Sequence, residues 1–261
     1  MYFTSLQLES WLAQGLWPFC RLLALFAVAP IYQERSIPAP VKIGLAMAIT
    51  ILVAPTLPGP AVGLSAPTAP AVLMQQILIG LAMGFSMRLA FAAVELAGDL
   101  IGLQMGLSFA SFVDPQNNTQ SPILGSLLNI FASLVFLAMN GHLLMIEAIT
   151  NSFSLFPIGE NAGANAGATG FSEHALPVNG MQLMAWGGEI FQTGLHLALP
   201  LLATMLVLNI AVGVLARAAP QLSLFSVGFP LTLITGLLAI ILTLPRIAPY
   251  LQAVLEQAAR L

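Results

Sequence analysis

Along most of this chain apolar residues do not alternate with polar ones; they run on. The stretches 43–87, 115–146, 190–216 and 218–245 contain no Asp, Glu, Lys or Arg. Each can supply a helix of about 20 apolar residues, which at about 1.5 Å per residue spans a hydrocarbon core of about 30 Å. The pattern predicts six hydrophobic segments, 11–33, 41–58, 72–94, 123–150, 183–216 and 222–245. Between the second and third, Pro58, Gly59, Pro60, Gly63, Pro67 and Pro70 predict a loop over 57–70, because proline removes a backbone donor and clashes with the preceding turn. Residues 158–180 are small and polar and read as a flexible connection in water. The fold class is therefore all-α: a polytopic membrane protein with long, interrupted helices, ending in two long apolar arms around a short turn.

The few charges refine this picture. The N-terminal tail and the two predicted loops hold no Lys or Arg, whereas the intervening turns carry Arg35 and Lys42, and then Arg217. Short cytoplasmic loops are enriched in basic residues, so this favours an N-terminus outside the cytoplasm. Six full crossings would leave Arg246 and Arg260 on that same side, against the trend. Either one segment does not cross or the trend fails there. Arg21 lies mid-way along the first segment, where translocon scales assign a charge about 2.5 to 3.5 kcal/mol. It needs a carboxylate, a backbone carbonyl or a watery partner, and a structural arginine that snorkels or pairs inside the bundle meets that need.

Four features are candidates for function. Gly80 and Gly84 are four residues apart, and Gly98, Gly102 and Gly106 repeat that spacing on nearly one helical face. Small residues in such rows let helix backbones approach closely where lipid supplies no hydrophobic drive, within a chain or between subunits. Glu95 and Asp99 share a face at i and i+4, with Arg88 two turns earlier. Paired carboxylates can relay protons in transporters, and they can equally form a solvated or interface face. Residues 105–125 lead from Phe109 and Phe112 through Asp114-Pro115 into uncharged polar residues, then into a new apolar helix after Pro122. That is a surface loop, or a re-entrant or pore-lining segment, since non-helical backbone at membrane depth must face protein or a watery cavity. Finally, Arg217, Pro220, Gln221, Phe225, Gly228 and Pro230 mark a tight basic turn between two apolar arms, a helical hairpin.

Composition excludes several classes. With 58% hydrophobic and 7% charged residues, and a mean hydropathy of +0.93, the chain cannot build the surface of a soluble domain, which carries about 25% charge. A net charge of -3 with seven scattered basic residues leaves no footprint for nucleic acid. Cys20 is the sole cysteine, and His142, His174 and His196 match no zinc spacing, so no metal or other cofactor is expected. No catalytic constellation or phosphate loop stands out, so the chain does not read as an enzyme. Ala27-Val28-Ala29 has the form of a signal-peptidase site, but Glu9, the lack of a preceding basic residue and the following Pro30 point to a retained first segment. Asn117-Asn118-Thr119 fits a glycosylation pattern too short to carry weight.

The run Leu103-Gln104-Met105-Gly106-Leu107-Ser108 continuing to Asp114-Pro115 resembles the FliR family of flagellar export-gate proteins. So does Arg217-Ala-Ala-Pro-Gln221 with Phe225 and Gly228-Phe-Pro230. The likeness covers essentially the whole chain, including the Trp11-bearing first segment, and is weakest in the loops 57–70 and 158–180. The resemblance implies a single R subunit assembled with several P and Q subunits (FliP and FliQ), with FlhB and FlhA as further partners. Together these form a closed helical gate for unfolded polypeptides in the bacterial inner membrane, within the flagellar basal body. It also implies that much of the assembled gate lies above the membrane plane, so the six segments describe hydropathy alone. Residues 1–182 would be like a P subunit and 183–261 like a Q subunit, with the loop 106–122 as a channel plug carrying Gly106, Phe109, Phe112, Asp114 and Pro115. Two alternatives stand beside it: the injectisome homologue of the same gate, and a secondary transporter using Glu95 and Asp99, for which no inverted repeat is visible.

Overall fold

The computed structural model describes residues 4–33, 37–57, 62–107, 123–159, 180–218 and 224–259. Among them every regular element is helical: α1 (Ser5–Val28), α2 (Ala39–Val53), a short 3-10 turn (Ala54–Thr56), α3 (Ala69–Gln104), α4 (Ile123–Ala138), α5 (Gly141–Leu155), α6 (Gly180–Ala218) and α7 (Leu224–Ala259). Prolines start two of them. Pro40 and Pro70 occupy the second positions of α2 and α3, where the missing N–H has no helical partner to lose. Prolines also lie inside α1 (Pro18), α6 (Pro200) and α7 (Pro230, Pro245 and Pro249), each removing one bond from a ladder long enough to continue.

Two predicted segments change. The third does not stop near residue 94 but continues to Gln104, because Arg88, Glu95 and Asp99 interrupt hydropathy without breaking a helix. At 36 residues α3 is about 54 Å long, well beyond a hydrocarbon core of about 30 Å. The fourth segment is two helices. Asn140 takes φ +56, a left-handed conformation that asparagine tolerates, and α5 restarts at Gly141. Among the described residues, four helical stretches can cross a membrane by length and composition: Gln7–Val28, Ala39–Thr56, Ala69–Gln104 and Gln192–Ala218. The α4–α5 pair passes the same test only when taken together, as a broken span or a re-entrant loop, and the apolar part of α7 is the shorter Gly228–Leu242.

The chain forms two compact units. The first comprises Met1–Arg88, Gly141–Trp186 and Leu255–Leu261; the second comprises Leu89–Asn140 and Gly187–Val254. The expected division at 182/183 concerns likeness to other subunits, which compactness does not address.

In the first unit Ala13, Trp17, Ala69 and Val72 form a buried cluster, flanked by Val62, Leu64 and Ile158. Polar side chains of α1 tie the neighbouring connections to this core. Gln14 Nε2 donates to the Ala54 carbonyl at 3.0 Å, and Trp17 Nε1 to that of Val62 at 3.3 Å. Glu9 Oε1 accepts from the Ser65 amide at 2.8 Å and from its hydroxyl. The proline-rich loop is therefore anchored through 62–65, which its composition does not reveal. At the other end of α1, Phe26 packs on Tyr32 with ring centroids 4.4 Å apart, and burial pushes the Tyr32 phenol above its ordinary pKa.

In the second unit α6 packs along one stripe, Gly194, Ala198, Leu201 and Met205, at the spacing of one helical face. Elsewhere α6 exposes many apolar side chains: Leu206 is 62%, Val207 68% and Ile210 60% accessible. On α7, Ile234, Leu237, Leu238, Ile241 and Leu242 are likewise exposed. A contiguous apolar surface of this kind requires lipid or partner helices to cover it.

Candidate functional site

Charge, glycine packing and the residues flanking 108–122 define the candidate sites. The first centres on Arg21, which is 0% exposed. Its Nε donates to Gln76 Oε1 of α3 at 2.8 Å, one terminal nitrogen to Ser152 Oγ of α5 at 2.9 Å, and the other to the Phe156 carbonyl at 2.9 Å. The guanidinium carbon lies 4.0 Å from the centre of the Phe153 ring. None of these partners is a carboxylate. The charge is held by the carbonyl-rich C-terminal end of α5, where the helix dipole is negative, by an aromatic face and by neutral oxygens. The Ser152 hydroxyl donates its own hydrogen bond to the Ile149 carbonyl at 2.7 Å, leaving its oxygen lone pairs free to accept from Arg21. The Gln76 Nε2 atom and the neighbouring Gln75 Oε1 are buried with no hydrogen-bond partner.

Glycines set the closest helix approaches. A Cβ on Gly80 would lie 2.2 Å from the Arg21 carbonyl oxygen, and one on Gly84 2.8 Å from that of Leu25, so α1 and α3 meet backbone to backbone. In the second unit a Cβ on Gly98 would lie 2.7 Å from the Cα of Gly125 in α4. Gly102 is looser, with its nearest neighbour, Leu124, at 3.6 Å. Two further glycines that sequence reasoning passed over do the same for α6 and α7. A Cβ on Gly194 would meet the Ala93 carbonyl at 3.0 Å, and one on Gly236 would meet the Met105 side chain at 2.5 Å.

The charged residues of α3 do not act as one group. Arg88 donates to Gln33 Oε1. Glu95 and Asp99 are half-buried, and Asp99 Oδ1 is enclosed without a hydrogen-bond partner, aimed at Gly125 in the first turn of α4. Beyond Gln104 the chain turns at Gly106, whose φ of +77 suits glycine and few other residues. Phe109, Phe112, Asp114 and Pro115 lie outside the described residues.

In the C-terminal hairpin Arg217 is exposed in the last turn of α6. Pro220 and Gln221 lie outside the described residues. Phe225, Gly228 and Pro230 are within α7 rather than in the turn, with Gly228 buried and Pro230 exposed. Residues 219–223, between the described ends of α6 and α7, lie outside the described residues.

Gln76, Ser152 and Phe156 were not singled out from the sequence. A Gln-Gln pair inside a charge-free helix was the available signal for the first. Nothing in the sequence marked a serine and a carbonyl 131 and 135 residues away from Arg21. Among the described residues no group of three or more His, Cys, Asp or Glu side chains is placed to hold a metal ion.

Residues 12–258 match the family described as bacterial export proteins, family 1. The flagellar biosynthetic protein FliR of Escherichia coli (strain K12) is 47% identical over 247 residues, covering 95% of this chain and 90% of that protein. That of Pectobacterium carotovorum is 46% identical over 248 residues, with 95% and 90% coverage. The FliR of Bacillus subtilis (strain 168) retains 30% identity over 224 residues, 85% of this chain and 83% of its own length. With near-complete coverage at these identities, the chain belongs to the FliR family of bacterial export proteins.

Proposed function

We propose that this chain is a core subunit of the flagellar protein export gate. In this reading it assembles in the bacterial inner membrane with P and Q subunits, and its segment 106–122 plugs the conduit for unfolded polypeptide. The carrying observation is the family match over residues 12–258, since this is a family of export components and its similar members are flagellar biosynthetic proteins. The flagellar names also favour a flagellar over an injectisome role.

The exposed apolar surfaces of α6 and α7 fit a subunit completed by lipid and partner helices. The plug reading draws on the residues bordering the segment. Gly106 redirects the chain as α3 ends, and the Gly98–Gly125 contact holds α3 against the start of α4, so both ends of the segment are fixed. The segment's residues are apolar, aromatic or uncharged polar apart from Asp114. Such a lining seals against water and ions yet makes few charge-specific contacts with a passing chain. Selection of cargo then falls to other components of the apparatus.

Deleting 106–121 in an assembled gate tests the plug. Small-solute leak across vesicles should rise at least tenfold while co-purification with P and Q subunits persists. An assembled gate with unchanged leak would sink the plug reading. Failure of this chain to co-purify with P and Q subunits would sink the gate reading itself.

A further inference from the structure

The α1–α3 contact poses a problem of register. Gly80 seats against the Arg21 carbonyl and Gly84 against the Leu25 carbonyl, four residues apart on both helices and running in the same direction. A slide of α3 by four residues, about 6 Å at 1.5 Å per residue, therefore carries a glycine from one seat to the other. In one direction the slide is blocked. Gln76 would enter the tighter seat, where even a Cβ would lie 2.2 Å from the Arg21 carbonyl oxygen. In the other direction Gly84 enters that tight seat, and Arg88 enters the looser one, where a Cβ would lie 2.8 Å from the Leu25 oxygen and 3.2 Å from Val28. Packing therefore opposes the second slide as well, but less tightly than the first, which makes it the least hindered alternative register.

A second interaction opposes it independently. In the slipped register Gly80, which has no side chain, would occupy the place of Gln76. The Arg21 Nε–H, now 2.8 Å from Gln76 Oε1, would be left buried without an acceptor. Ser152 and Phe156 of α5 hold the rest of the guanidinium in place, so the side chain is not free to follow. We propose that Arg21 is a register pin: paired with Gln76 and braced by the end of α5, it adds to the glycine seats the penalty that keeps α3 out of the one-turn slip, the least hindered alternative set up by the Gly80/Gly84 repeat. A buried cation in a neutral cage contributes little net stability compared with a well-packed apolar cluster. Its contribution here is a single alignment of α1 with α3. This holds whether or not 106–122 is a plug.

The test is a distance measurement on the full-length chain. Leu16 of α1 and Phe85 of α3 are 40% and 38% exposed, and Cys20 is the sole cysteine. Spin labels at Leu16→Cys and Phe85→Cys in a Cys20→Ala background report the α1–α3 offset by double electron-electron resonance. The parent should give one distance. Arg21→Met should add a second population, displaced along the helix by one turn; a single unshifted distance would overturn the proposal. Gln76→Glu supplies the arginine with a carboxylate at the same place and should keep the chain folded with the parental distance alone. A second distance in Gln76→Glu would also overturn it, so the proposal stays testable even where Arg21→Met does not fold. Gln76→Leu with Arg21 intact should reduce folded protein more than Arg21→Met/Gln76→Leu, because only the former orphans a charge. The reverse order would count against the pin.

Discussion

The two compact units solve the same packing problem with different chemistry. In the first, glycine-smoothed backbones of α1 and α3 are locked by a guanidinium bonded to side chains or carbonyls of α3 and α5. In the second, α3 meets α4 and α6 at Gly98/Gly125 and Gly194, and the Met105 side chain just past α3 packs on Gly236 of α7. The carboxyl side chain nearest those contacts, Asp99, has an enclosed oxygen with no partner. Close approach through glycine supplies van der Waals contact but little directional information, whereas hydrogen bonds to a buried charge fail outright when misaligned. The first unit therefore combines proximity with specificity, and the second relies on shape.

This contrast can be broken by substitution. The largest effect is expected at Gly80→Ala, where the new Cβ meets the Arg21 backbone oxygen at 2.2 Å rather than a movable side chain. Overpacking of this kind costs about 3 kcal/mol, enough to reduce folded chain recovered from membranes more than tenfold. Ser152→Ala comes next. It removes one acceptor from a buried guanidinium and should cost about 1.5 to 3 kcal/mol, read as a lower midpoint of thermal unfolding in detergent.

The smallest effect sharpens the account of the second unit. Gly98→Ala should destabilise by about 1 to 3 kcal/mol, because its Cβ would press on the Gly125 backbone. Gly102→Ala, four residues along the same face, has 3.6 Å of clearance and should be neutral or gain up to about 1 kcal/mol from helix propensity. Equal losses in both variants would show that the glycine row acts as a whole and not through one seat.

The sequence revealed more of the fold than of the sites. The hydrophobic segments predicted helices within α1, α2, α3, α4, α6 and α7, and the prolines bounded α2 and α3. Two boundaries were misplaced for identifiable reasons. The third hydrophobic segment stops at residue 94 because hydropathy falls at Glu95 and Asp99, whereas the helical spacing of those carboxylates and of Gly98 and Gly102 already runs past it and a charge that finds a partner or solvent does not stop a helix. The break at Asn140 was missed because a single asparagine in an apolar run gives a weak signal. Arg21 was recognised as needing a partner, but Ser152 and Phe156 are too distant in sequence for any local pattern to supply them.

Sequence alone determined that this chain is helical and mostly apolar on its surfaces, and its motifs carried the likeness to the FliR family. Hydropathy and glycine spacing are local properties that survive without coordinates. Only the tertiary structure decided which glycines bear the tight contacts, since Gly80 and Gly98 are crowded while Gly102 is not. It also decided how a cation can be buried far from any carboxylate partner. Both depend on what the rest of the chain places within a few ångströms, and no spacing along the sequence encodes that.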